Sequence, residues 1–216
     1  MSAIGQQVNL GLRLLDDQLL DSDDHRCGRV DDVQLKGMPG SRRTEISALL
    51  VGPGAWTSRV RRPFAEVTAG LAPDHMHVSP WGEVTRIGTA VRLSKSAKEL
   101  GLETSDGRNV QWVGAPPRGT FRLSELLRSR LVTTSGSDLG RIWEVRAERQ
   151  TEVPDEQINE AWRVIGLLIG RPGLQERIGV SIEGDPVPSA NFIAWNAVQD
   201  LASGIVTVSD AAGAQQ

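Results

Sequence analysis

The chain has 216 residues, 39% of them hydrophobic and 24% charged, with a net charge of −3. Such a chain can build a packed core and is too apolar for extended disorder. Residues 1–108 carry 14 Lys+Arg against 14 Asp+Glu, and residues 109–216 carry 10 against 13, so neither half is the basic body that grips nucleic-acid phosphates. The single cysteine excludes an intrachain disulfide and a thiolate metal cluster. No apolar run approaches the roughly 20 residues that span a bilayer. The expectation is a cytoplasmic protein without a signal peptide or direct membrane insertion, reaching a membrane only through a partner.

In chain order, the first signal is Leu14-Leu15 and Leu19-Leu20, then the acidic Asp21-Ser-Asp-Asp24, then Gly28-Arg29-Val30 and Val33. The acidic run could be a calcium loop. An EF-hand needs Gly at its sixth position and Glu at its twelfth; counted from Asp21, these are Arg26 and Asp32. Short polar residues between apolar runs, entered again through glycine, predict a strand, a tight turn and a second strand. Ile46–Val51 predicts a further short strand. Trp81-Gly-Glu-Val84 leads into a closing strand that ends by Leu93, and Ser94 is placed to cap a short helix over 95–100 that Gly101 stops. Asp106-Gly107 and Ala115-Pro-Pro-Arg-Gly119 break the chain into a linker, in which Trp112 is expected as an extra strand or a plug.

The same signals then recur. Leu126-Leu127, Leu131-Val132, Gly140-Arg141-Ile142 and Val145 follow their first-half counterparts at a constant offset of 112. Gly166-Leu-Leu-Ile-Gly170 answers Ala48-Leu-Leu-Val-Gly52, and Trp195-Asn-Ala-Val198 answers Trp81-Gly-Glu-Val84. Internal repeats of this kind set the architecture. The acidic Asp21–Asp24 becomes Thr133-Thr-Ser-Gly136 in the second copy, so the shared property is turn formation and not charge.

Several side chains are candidates for chemistry. His75 and His77 would share one strand face, but no third metal ligand accompanies them. Cys27 stands where the second copy has Leu139, which marks a small apolar residue more than a reactive thiol. The glycine-rich Gly52-Pro-Gly54 and Gly170-Arg-Pro-Gly173 lack the Gly-Lys-Ser/Thr of a phosphate loop. No catalytic constellation, metal site or cofactor site is expected, and the protein reads as a non-enzyme. Trp81 and Trp195 recur and are assigned to packing; Trp56, Trp112, Trp143 and Trp162 do not recur. Trp143 replaces Asp31, a position expected to be exposed, and an exposed tryptophan is a fitting interface anchor; packing on the linker or on the other barrel is the alternative. Arg59, Arg61 and Arg62, with Arg42 and Arg43, form the one local basic cluster.

The order of strand, polar turn, Gly-Arg-Val, Leu-Leu-Val-Gly, Trp-x-x-Val and closing strand resembles the PRC-barrel family in both copies. The carrying residues are Asp21–Val33, Ala48–Gly52 and Val78–Leu93, and then Thr133–Val145, Gly166–Gly170 and Ala194–Val208. The resemblance implies an all-β fold of two tandem six-stranded barrels: 1–94, a linker with a possible short helix at 95–120, 121–210, and a flexible tail at 211–216. It implies a non-enzymatic adaptor or scaffold that binds protein partners, for which Trp143 and Arg59, Arg61 and Arg62 are the first candidate contacts. A factor in ribosome assembly or RNA processing, and a peripheral cytoplasmic subunit of a membrane complex, are the alternatives. A homodimer is compatible with either, while the charge argues against direct nucleic-acid binding.

Overall fold

A computed structural model describes residues 7–52, 54–55, 77–102, 119–149, 162–170, 191–202 and 204–213. Trp56, Arg59, Arg61, Arg62, His75 and Trp112 lie outside the described residues. The fold is all-β with short helical turns. The first half runs β1 (Gln7–Asn9), α1 (Leu10–Leu14), β2 (Gln18–Leu20), β3 (Arg26–Arg29), β4 (Asp32–Lys36), β5 (Glu45–Val51), β6 (His77–Pro80), a 3-10 turn (Trp81–Glu83), β7 (Val84–Ile87) and β8 (Val91–Leu93). The second half repeats this order with β9 (Thr120–Arg122), α2 (Leu123–Leu126), β10 (Arg130–Thr133), β11 (Asp138–Arg149), β12 (Trp162–Ile169), β13 (Asn191–Ala194), a 3-10 turn (Trp195–Ala197), β14 (Val198–Ala202) and β15 (Ile205–Val208). A short α3 (Asp210–Gly213) closes it, and its Ala212 is buried in the core where a flexible tail was expected.

The pairing repeats as well. β2 pairs β3 antiparallel and β8 parallel, just as β10 pairs β11 antiparallel and β15 parallel. The turn expected at the aspartates forms: Asp21 N–H donates to the His25 carbonyl, and Thr133 N–H to that of Ser137. At 96–101 a single turn replaces the expected short helix, and its cap is Ser96 instead of Ser94. The Glu99 carboxylate accepts Ser96 N–H at 2.9 Å and the Ser96 hydroxyl accepts Glu99 N–H at 3.3 Å, the reciprocal arrangement that starts a helix. Gly101, at φ 68°, ends it as expected.

Among the described residues, eleven strands form one sheet and four form another. The main path of the larger sheet is β14-β15-β10-β11-β12-β5-β4-β9, so it crosses from one half to the other where β12 meets β5 at Arg163 and Glu45. One hydrophobic core likewise draws on both halves, from Leu10, Leu19 and Val33 to Leu131, Val145 and Val208.

The halves are tied by a reciprocal exchange. β1 of the first half pairs with β11 of the second, and β9 of the second pairs with β4 of the first. Each exchanged strand leads into a helix of only four or five residues, too short to hold itself together. The first N–H groups of a helix have no partner inside it, and here a buried carboxylate of the opposite half supplies one. Glu144 accepts from Gly11 N–H at 2.7 Å and Leu12 N–H at 2.9 Å. Asp32 accepts from Ser124 N–H at 3.1 Å and from the Ser124 hydroxyl. Asp32 and Glu144 are 112 positions apart, the repeat offset itself.

Candidate interaction surface at the junction of the halves

The loop between β4 and β5 spans residues 37–44 and stands where the two halves meet. Its turn is local: Ser41 N–H donates to the Met38 carbonyl at 3.0 Å, and Thr44 N–H to that of Ser41 at 3.2 Å. Its anchoring is not local. Thr44 is fully buried. Its carbonyl accepts Val164 N–H at 2.8 Å, and its hydroxyl accepts Trp195 Nε1–H at 2.9 Å while donating to the Met38 carbonyl at 3.0 Å. Both Val164 and Trp195 belong to the second half. Gly40, at φ 70°, lies so close to Val198 that a Cβ there would sit 2.1 Å from its carbonyl oxygen. Glycine is therefore required twice over, for the backbone angle and for the approach. Phe121 stacks on Trp195 with ring centroids 6.0 Å apart, so the floor under the loop is fixed from several sides.

On this rooted loop the side chains point outward. Met38 is 74% exposed, the most exposed large apolar side chain among the described residues, and Arg42 and Arg43 are exposed beside it. Between loop and sheet lies an open notch of about 220 Å³ lined by Arg42, Arg163, Val164, Ile165, Trp195 and Asn196. Arg163 approaches Glu148 at 3.7 Å and stands opposite Glu45 across the β12–β5 contact. Arg42 forms no ion pair among the described residues. An exposed apolar side chain beside arginines, on a backbone held in place before any partner arrives, is an arrangement suited to recognition. Arg42 and Arg43 were legible as cations in the sequence. Their meeting with Arg163 and the prominence of Met38 were not, since both follow from the crossing of the halves.

The remaining candidates fall elsewhere. Trp143 is half-buried, not exposed as its replacement of Asp31 suggested. It occupies a bulge in β11, where the pairing with β12 shifts between Ile142 and Glu144, and its indole Nε1–H is buried without an acceptor among the described residues. A bulge turns a side chain away from the strand's alternation, which is why the comparison with Asp31 misjudged it. Trp81 and Trp195 are buried as expected, and Trp162, also buried, meets Trp81 edge-on at 6.5 Å. Cys27 packs against the core like Leu139, and burial pushes its thiol up to about 11, which leaves a poor nucleophile. His77 is buried on β6 opposite Val51.

Asp21, Asp23 and His25 come within metal-ligand distance of one another. The Asp21 oxygens, however, are engaged by the backbone: one accepts from Asp23 and His25 N–H at 3.0 and 2.8 Å, the other from Ala97 N–H at 3.0 Å. These bonds, that from Ala97 foremost, hold the Asp21 carboxyl below its ordinary range, and they explain the residue as the brace of its turn. The buried Asp32 and Glu144 behave oppositely. Loss of water raises both carboxyls, against the pull of the donors that surround them. Their bonding is spent on the exchanged helices.

Among the described residues no helix is long and apolar enough to cross a membrane. Neither a known protein family nor a curated protein matches the chain.

Proposed function

We propose that the protein is a non-enzymatic cytoplasmic adaptor or scaffold that docks a protein partner on the junction surface around Met38, Arg42 and Arg163. In this reading each half is a small six-stranded barrel of the PRC type, with its first strand and helix lent to the other half. The repeated order of helix, strand, polar turn, Gly-Arg strand, tryptophan turn and closing hairpin supports that assignment. The observation that carries the function is the loop at 37–44. Its backbone is clamped by contacts from both halves, yet it presents a methionine and two arginines to solvent. Trp143 stays a secondary contact in this reading, through the part of its half-buried ring that is exposed.

The test is a photo-crosslinking amino acid placed at position 38 of the full chain, with position 12 as control, because Leu12 is also an exposed apolar residue. Cells are crosslinked and divided into soluble, ribosomal and membrane fractions. A discrete protein adduct from position 38, absent from position 12 and lost on Arg42→Glu, is the expected result. Adducts shared equally by both positions would remove the junction as the docking surface. Recovery of ribosomal proteins or of a membrane complex would name the class of assembly.

A further inference from the structure

We infer that the arm formed by β1 and α1 is exchanged between two copies of this chain, each copy seating its arm on β11 of the other. Within one chain the arm is already lent away from its own half. Gln7, Val8 and Asn9 stand opposite Glu148, Ala147 and Arg146, and Glu144 caps α1 at Gly11 and Leu12. A second copy offers the same β11 and the same Glu144. The exchanged pair therefore remakes each of these bonds, and only the hinge that joins arm to body differs between the two forms.

The hinge is residues 15–17, and its counterpart at the repeat offset is 127–129. Their backbones match. Asp16, at φ 68°, donates its N–H to the Val30 carbonyl, and Arg128, at φ 71°, to that of Ile142. A left-handed residue with a side chain carries strain at both places. The hinges differ at their third position. The Ser129 hydroxyl donates to the Glu125 carbonyl at 2.5 Å. Asp17, in its place, buries Oδ2 without a hydrogen-bond donor among the described residues. Loss of water raises its carboxyl, ahead of the lowering pull of Arg13, and the adjacent Asp16 raises it further. A carboxylate oxygen that gives up water and gains no donor favours the form that releases it. The first hinge is thus the one poised to open, and short strained hinges are those that exchange between copies. Within one chain the arm is tethered to its site at an effective concentration on the order of millimolar, so the exchanged pair gains on the monomer as protein concentration rises. The β12–β5 contact keeps the halves of each copy joined. On the adaptor reading the pair then presents two loops of residues 37–44 and holds a repeated partner bivalently.

The experiment uses the full chain with Cys27→Ala, one batch carrying Gln7→Cys and the other Glu148→Cys, positions that face each other across β1 and β11. The batches are mixed, unfolded in urea, refolded together at rising protein concentration and joined with a short bismaleimide. A crosslinked dimer whose yield climbs with concentration is expected, since each batch holds only one of the two thiols. Asp16→Pro should raise the yield at every concentration, because proline cannot hold φ 68° and lacks the N–H that donates to Val30. Leu15, at φ −67° and ψ 137°, already suits the residue before a proline. Asp16→Gly and Asp17→Ser relieve the hinge without disturbing the fold and should lower the yield. Relief of about fivefold per hinge counts twice in a pair, so each should weaken association about 25-fold in sedimentation equilibrium. A parent chain that stays monomeric at every concentration would overturn the proposal, as would association unchanged by Asp16→Gly and Asp17→Ser. A dimer in which positions 7 and 148 remain unlinked would replace arm exchange with face-to-face association. Linkage between Lys36→Cys and Thr120→Cys chains, opposite each other across β4 and β9, with none between 7 and 148, would refute the choice of the first arm.

Discussion

The two halves solve the same packing problem with different side chains. In the second half the long strand β11 runs unbroken from Asp138 to Arg149 and absorbs an extra residue as a bulge at Trp143. In the first half the matching stretch is cut between β3 and β4. Asp31 sits at the cut, where its N–H donates to the Leu50 carbonyl at 2.9 Å and its carboxylate accepts Gly52 N–H at 2.6 Å. That one interruption separates β3-β2-β8-β7 into a sheet of its own, whereas the second half's equivalents stay in the larger sheet. A side chain that bonds its neighbours' backbone competes with the strand ladder; an indole does not.

The reciprocal caps show the same kind of compensation. α1 has Gly11 near its start and is capped by the longer Glu144, whose oxygens lie 2.9 Å from where a Gly11 Cβ would be. At the matching position α2 has Leu123, fully buried, and its cap is the shorter Asp32. A small helix residue goes with a long acid, and a large one with a short acid. The exchange therefore survives although neither position keeps its residue type.

The comparison is broken most severely at the caps. Glu144→Ala would strand the N–H groups of Gly11, Leu12 and Val145, at about 1–3 kcal/mol for each unsatisfied donor before relaxation, so a loss of about 3–4 kcal/mol is expected in urea unfolding. Asp32→Ala should cost less, because the Ser124 hydroxyl can rotate to another acceptor. Both variants should still unfold in one transition, since each acid holds a helix of the other half. Two separate transitions would show that the halves are independent. Next comes Gly166→Ala. The new Cβ would meet the Phe192 ring at 2.3 Å and the Ile193 carbonyl at 2.6 Å, and overpacking of this kind costs about 1–3 kcal/mol. The first half has Ala48 and Val78 at these two places, so adding Phe192→Val should restore part of the loss in thermal unfolding.

A smaller effect is expected for Thr44→Val, which keeps shape but leaves the Trp195 indole N–H without its acceptor. About 1–2 kcal/mol should be lost, accompanied by weaker crosslinking from position 38 if the loop loosens. The smallest effect is a difference in pH response. Asp32 and Glu144 have carboxyls raised by burial, so the stability linked to them is full below the unfolded carboxyl value and is lost as pH rises through the higher folded value. Asp21 is lowered by its backbone donors; its contribution is present above the unfolded value and lost as pH falls through the lower folded one. Urea midpoints followed from acid to neutral pH should therefore change slope in opposite senses in Asp32→Asn/Glu144→Gln and in Asp21→Asn. The same sense in both would refute the assignment of burial as the dominant influence on the inner pair.

What the sequence by itself determined is local. Branched apolar runs bounded by Gly, Asp and Thr specified strands and turns, and the repeat at a constant offset specified that the order of elements occurs twice, because side-chain alternation and turn geometry depend on near neighbours. It also marked Trp81 and Trp195 as packing residues, since a bulky apolar side chain kept in both copies has a core position to fill. Only the tertiary structure decided that β1 and β9 change places, that Asp32 and Glu144 serve each other's helices, that Trp143 is half-buried at a bulge, and that Arg42 and Arg163 line one notch. All of these except the bulge join residues more than 80 positions apart, and no periodicity along the chain encodes which distant backbone donor a buried carboxylate will satisfy. That is settled by the cost of leaving a buried backbone donor or carboxylate without a partner in the assembled core.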